Sequence, residues 1–261
     1  MSDIAYPRVQ SHLARLKLAR MAECLDDVAQ EAAKHDWTYV EFLDRLLDAE
    51  ASARYERDVT MKTKLAHFPF VKTLDQFDFA FQPAINERQV RELATLSFIA
   101  HAENILLLGP PGVGKTHLAI ALGMTAIQHA TSVYFTSMVD LLDQLHQDAK
   151  EDRLDHRLHT LCRPRLLILD EMGYFPLDRM TAQFLFQLVS RRYGRGSIIL
   201  TSNKSYGEWG DIFADQVLAA AILDRLLHFS TTINIRGQSY RLREKRKAGV
   251  FIDLAEPQKE V

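Results

Sequence analysis

The chain has 261 residues, 47% of them hydrophobic and 25% charged, a balance that supports a packed core and excludes disordered or collagen-like chains. Lys plus Arg is 32 against 34 Asp plus Glu, so the net charge of −2 supplies no global attraction for nucleic acid, and any such contact must come from a local patch. Two distant cysteines, Cys24 and Cys162, without metal-ligand spacing fit the reducing cytoplasm; no apolar run is long enough to span a bilayer.

In chain order, Val9, Leu13, Leu16, Leu25, Val28 and Ala32 recur at three- and four-residue steps and predict one amphipathic helix over 9–33. A second helix starts at Thr38, where Thr38-Tyr-Val-Glu41 fits a capping box, and runs towards Leu65. Residues 1–66 are thus expected to form a helical N-terminal domain. The aromatic, Pro-containing stretch 67–83 reads as a linker packed on the next domain, expected over 84–248 with a tail over 249–261. Helix returns from an Asn86 N-cap to His101. Short apolar runs at Ile105–Leu108, Val133–Phe135, Leu166–Leu169, Ile198–Leu200 and Thr231–Ile235 then alternate with helix-length segments, the pattern of an α/β parallel sheet flanked by helices.

The strongest chemical signal is Gly109-Pro-Pro-Gly-Val-Gly-Lys-Thr116, which satisfies GxxxxGK[ST] between a predicted strand and a predicted helix. Gly112 and Gly114 let successive backbone N–H groups face phosphate oxygens, Lys115 reaches the β- and γ-phosphates, and the Thr116 hydroxyl ligates Mg²⁺. The expected nucleotide contacts are Gly109, Pro111, Gly112, Val113, Gly114, Lys115, Thr116 and His117. The apolar run Leu166–Leu169 ends in Asp170 and Glu171, carboxylates suited to holding Mg²⁺ and to taking a proton from the attacking water. Thr201-Ser-Asn203 closes a later strand, and Asn203 there can position water or simply form a turn. Asn203-Lys-Ser-Tyr206 has Tyr where a guanine-reading motif needs Asp, so ATP is the expected nucleotide. Arg225, beside Asp224, either pairs locally or reaches a neighbour's γ-phosphate as an arginine finger.

Together these residues, with Gly173-Tyr174, Ile222–His228 and Ile233–Arg241, resemble the AAA+ ATPases of the DnaA/DnaC clade, a P-loop NTPase fold, and within it the IstB-type helpers of insertion-sequence transposition. The resemblance implies an ATP- and Mg²⁺-dependent ATPase that forms a homo-oligomer on double-stranded DNA, bends it and presents it to an IstA-type transposase; a DnaC-like helicase loader is the alternative. It places Lys115, Glu171, Asn203 and Arg225 in catalysis and Thr116 and Asp170 at the metal. With only Arg236–Val261 after the last strand, no full C-terminal lid is expected, and Arg241 or Arg243 is a weak substitute for its sensor. The clade's helical insertion falls at Ser137–Arg163, where Lys150, Arg153, Arg157 and Arg163 can meet phosphates, although Asp148, Glu151, Asp152 and Asp155 make a solvated mixed-charge face an alternative. Arg236, Arg241 and Arg243 open the second basic stretch.

Overall fold

The computed structural model describes residues 5–213 and 215–247; the tail over 249–261 lies outside them, as do the side chains of Lys245, Arg246 and Lys247. The chain divides into two compact units, Met1–Met61 and Lys62–Val261. Among the described residues no helix is long and apolar enough to cross a membrane.

In the first unit the expected single helix is two, α1 (Ala5–Arg15) and α2 (Ala19–Lys34), because Lys17 takes a left-handed φ of 57°. Doubling back lets Leu13 of α1 share one small core with Met21, Leu25 and Val28 of α2 and with Leu46. Leu46 belongs to α3 (Tyr39–Leu65). The new helix start at α2 has free N–H groups, and buried Glu50 of α3 takes two of them, accepting from Arg20 N at 2.8 Å and Met21 N at 3.2 Å. At the start of α3 the Thr38 N–H donates to Glu41 Oε2 at 2.7 Å and the Glu41 N–H to Thr38 Oγ1 at 3.3 Å, the reciprocal pair read from the sequence.

The second unit is built on a sheet of β1 (Asn104–Leu108), β2 (Val133–Ser137), β3 (Leu166–Met172), β4 (Ser197–Ser202) and β5 (Ser230–Asn234), all parallel, in the order β2-β3-β4-β1-β5. Its helices are α4 (Glu87–Leu93), α5 (Ser97–Ala100), α6 (Lys115–Gln128), α7 (Met138–Lys150), α8 (Leu154–Cys162), α9 (Arg179–Arg192), α10 (Trp209–Phe213), α11 (Gln216–His228) and α12 (Tyr240–Lys247). The helix expected over 86–101 is broken at Leu96, which takes a φ of 66°. Asn86 is its N-cap, accepting from Gln89 N. On one side of the sheet Leu167, Leu169, Ile198 and Leu200 pack with Leu141, Leu161, Leu188, Trp209 and Ile222 of α7 to α11. Strand side chains alternate between faces, and Ile168 meets Gly123 of α6 so closely that an added Cβ would lie 2.9 Å from it.

Polar contacts fix both ends of the sheet. At the start of the strands Arg192, only 2% exposed, donates from Nη1 to the carbonyls of Leu161 and Pro164, both at 2.9 Å. Its Nη2 donates to the carbonyls of Arg165 at 3.1 Å and Ser197 at 2.8 Å. A guanidinium suits this work because its planar fork carries several fixed donors. The C-terminal ends of the strands carry the loops that build the site, as expected for open parallel sheets.

Candidate active site

The P-loop joins β1 to α6. Gly114 takes a φ of 100° and lies under the Phe77 ring, where an added Cβ would come within 2.6 Å. The expected Gly therefore meets two demands, a left-handed backbone and a covering ring. Lys115, 7% exposed, donates from Nζ to the carbonyls of Gly109 at 2.6 Å and Pro110 at 2.8 Å. Burial pulls its pKa below the usual lysine value, against the attraction of Asp170.

The register of β3 brings Asp170 beside α6. The Thr116 hydroxyl donates to its carboxylate, with 3.0 Å to each oxygen. Burial raises the Asp170 pKa, while the hydroxyls of Thr201 and Thr116 and the charge of Lys115 oppose the rise. Thr201 Oγ1 donates to Asp170 Oδ1 at 2.5 Å and accepts the Glu171 N–H at 2.9 Å. Glu171 itself takes a φ of 65°, where the β3–β4 register is interrupted between Leu169 and Met172. A non-glycine residue in that region stores strain and is held by its surroundings. One hydroxyl thus fixes both carboxylate residues.

A cavity of about 340 Å³ joins these parts, lined by Pro111, Gly112, Val113, Gly114, Lys115, Thr116 and His117 with Glu171, Tyr174, Thr201 and Arg241. Phe70, Phe77 and Tyr240 complete much of its other end. His117 reaches sideways, its Nε2 2.9 Å from the Thr73 carbonyl, and burial lowers its pKa. The stretch expected to be a linker therefore walls the cavity.

Asn203 is not among the cavity-lining residues; its buried Oδ1 abuts Gly173 and has no hydrogen-bond partner among the described residues, and the strand-end polar group at the carboxylates is Thr201. Arg157 donates to buried Asp148 at 2.6 Å, and Arg153 lies 3.8 Å from the same carboxylate and also pairs with Glu151. These two arginines fasten the α7–α8 corner, whereas Lys150 is exposed. Arg241 lines the cavity, and Arg243 sits 3.2 Å from Asp78 and 4.6 Å above the Phe81 ring, so both turn towards the P-loop side of the unit. Arg236 is exposed. Arg225 lies outside the cavity lining, its Nη1 donating to the Ala221 carbonyl at 2.9 Å and its guanidinium 4.7 Å over Phe186. The signal missed in the sequence for Thr201 was its place one residue inside the strand end, where a hydroxyl is easily read as sheet packing.

Residues 11–248 match the family described as IstB-like ATP binding protein. The chain belongs to this family. It is 50% identical to the ATP-binding protein of insertion sequence IS21 from Pseudomonas aeruginosa over 94% of this chain and 92% of that one. It is 51% identical to that of IS5376 from Geobacillus stearothermophilus over 92% and 95%. Family membership makes it an ATP-binding protein, and the cavity built on Lys115 and Thr116 has the parts for that ligand. The fold is that of DnaA- and DnaI-like AAA+ proteins. A DnaI crystal structure superposes with TM-score 0.55 at 19% identity, covering 63% of this chain and 90% of that one. A replication initiator DnaA bound to AMPPCP and single-stranded DNA gives TM-score 0.52 at 18% identity, covering 70% and 56%.

Proposed function

We propose that this IstB-family protein is a cytoplasmic, Mg²⁺-dependent ATPase that assembles into a homo-oligomer on double-stranded DNA, bends it and presents it to a partner transposase of the IstA type. The observation that carries the ATPase reading is the hydrogen-bonded meeting of Thr116, Asp170, Thr201 and the Glu171 backbone beside the cavity that Lys115, Thr116, Glu171 and Thr201 line. A hydroxyl and a carboxylate already in contact are a donor set that fits Mg²⁺, with nucleotide phosphate oxygens and water as the remaining ligands. Bound there, the ion would neutralise charge building on the β- and γ-phosphates.

The chain's own groups do the rest. Lys115 exchanges its two carbonyl partners for phosphate oxygens. Glu171 accepts a proton from a water whose oxygen attacks the γ-phosphorus as the bond to the β–γ bridging oxygen breaks, giving ADP and phosphate. Thr201 holds Asp170 and Glu171 in mutual register through that step. Arg225, placed outside its own cavity, serves a neighbouring copy's γ-phosphate, so that nucleotide links two protomers. Exposed Lys150 and Arg236 are the candidate phosphate-backbone contacts, and binding through the backbone makes affinity fall steeply with salt. The 50% and 51% identical ATP-binding proteins of insertion sequences IS21 and IS5376 support the transposition role.

Light scattering with and without ATP, Mg²⁺ and a short duplex tests the assembly: a large species is expected only with nucleotide and DNA together. Lys115→Ala abolishes it and Glu171→Gln traps it. A chain that stays monomeric under every combination refutes the reading.

A further inference from the structure

Several cations that the sequence offered for DNA in the second unit are engaged by its own carboxylates: Arg153 and Arg157 hold Asp148, and Arg243 holds Asp78. The first unit carries cations that are not. Residues 5–22 contain Arg8, Arg15, Lys17 and Arg20 and no Asp or Glu, in a chain whose net charge is −2. Arg20 pairs with Glu23 at 3.1 Å, whereas Arg8, Arg15 and Lys17 make no ion pair among the described residues. Their placement follows from how α1 packs. The Tyr6 hydroxyl donates to Asp26 at 2.8 Å, Gln10 Nε2 donates to the Ala22 carbonyl at 3.4 Å, and Leu13 is buried in the small core, so the face at 6, 10 and 13 lies against α2. With about 3.6 residues per turn, Arg8, His12 and Arg15 share the opposite face, and all three are exposed. The left-handed turn at Lys17, whose carbonyl accepts from Arg54 Nη2 at 3.3 Å, ends the helix and leaves an exposed Lys17 just past Arg15.

A row of like charge with no acid among it fits a polyanion. At about 1.5 Å per residue, Arg8 and Arg15 stand about 10 Å apart along the helix, and duplex DNA carries one charge per roughly 1.7 Å of its axis, so the row lies opposite about six phosphate charges. A lipid surface suits α1 less well, because a helix that lies on a membrane needs its apolar side free and here Leu13 is spent in the core. We propose that Arg8, His12 and Arg15 of α1, continued by Lys17, form a contact surface for the phosphate backbone of duplex DNA. The inference rests on the reading that this chain binds duplex DNA and adds a surface for it in the first unit. Contacts of this kind hold the duplex in place without reading its bases.

Fluorescence anisotropy of a short labelled duplex with the full chain, ATP and Mg²⁺, from about 50 to 200 mM salt, tests the row through the slope of log affinity against log salt. Each phosphate contact contributes about 0.9 to that slope, so the combined variant Arg8→Gln, Arg15→Gln, Lys17→Gln should lower it by about 2.7. Across the same fourfold rise in salt the variant should then lose about 40-fold less affinity than wild type. Arg8→Lys with Arg15→Lys keeps the charge and should keep the slope, which separates lost contacts from a disturbed helix. Arg45→Gln, an exposed cation set among Glu41, Asp44 and Asp48 on α3, should leave the slope unchanged. A wild-type slope in the triple glutamine variant, or an equal fall in Arg45→Gln, overturns the proposal. So does an unchanged slope with a smaller particle in light scattering, which would assign the row to an acidic surface of a second copy. A wild-type chain with no salt-dependent duplex binding refutes the DNA reading itself.

Discussion

Replacing Thr201 by valine removes one hydroxyl and almost no volume. Its Oγ1 donates to Asp170 at 2.5 Å and accepts from the Glu171 N–H at 2.9 Å, so two bonds go at once. An N–H left unpaired costs about 1–3 kcal/mol and a hydrogen bond to a charged group contributes about 1.5–3 kcal/mol, or about 4 kcal/mol together at mid-range. Glu171 then relaxes from its φ of 65°, releasing strain of about 1–3 kcal/mol, and Thr116 still donates to Asp170. The net loss of stability is about 2–3 kcal/mol, or about 5–10 °C in Tm for a unit of this size. The kinetic effect is larger, because Glu171 loses the contact that aims it and a misplacement of about 1 Å costs about 100-fold. Phosphate release measured against ATP concentration, with Mg²⁺ and duplex DNA, should show kcat lowered about 100-fold and KM within about threefold, with Thr201→Ser near wild type. A normal kcat, or a raised KM at unchanged kcat, would refute the role given to Thr201.

Asp170 should make Mg²⁺ binding sensitive to acid. Burial raises its pKa above 3.8 and only the ionised form ligates a cation, so Mg²⁺-dependent nucleotide affinity should fall with decreasing pH earlier than an exposed aspartate would dictate. The stability term of the same group in the protein without Mg²⁺ has the opposite sign: a raised folded-state pKa means the folded state takes up the proton first, so this contribution grows as pH falls through that value. Titrating both across the acid range by fluorescence checks the pair of signs. Arg192→Leu removes the guanidinium donor from four carbonyls, of which Arg165 keeps the Ser197 N–H, and should destabilise the second unit by about 3–5 kcal/mol in urea unfolding, with Arg192→Lys recovering only part. Thr38→Ala should cost about 1 kcal/mol and raise hydrogen exchange in the first turn of α3.

What the sequence made legible was local. Gly109 to Thr116 is contiguous, lies between a strand and a helix, and needs no long-range information to be recognised; the same holds for Thr38 with Glu41. The polar group at the end of β4 was not legible, because Thr201, Ser202 and Asn203 are equally polar in one dimension. The choice among them is made by the interrupted register of β3 and the left-handed turn at Glu171. The breaks at Lys17 and Leu96 were missed for a related reason: apolar spacing continues across a single left-handed residue that carries no glycine or proline to mark it. Arg153 and Arg157 looked available for phosphates because their partner Asp148 had been counted as surface charge, and only packing shows it to be 5% exposed. The aromatic stretch around Phe77 was legible as something that packs, and folding gave it a cavity to wall.

The arginine at the base of the sheet grips main-chain oxygens alone. Leu161, Pro164, Arg165 and Ser197 offer it groups that every amino acid possesses, so as far as this grip is concerned those four positions are free to drift while position 192 is pinned. An inherited substitution load would therefore gather around the clamp and spare its centre, leaving the opposite rim free to be retuned without loosening the foundation.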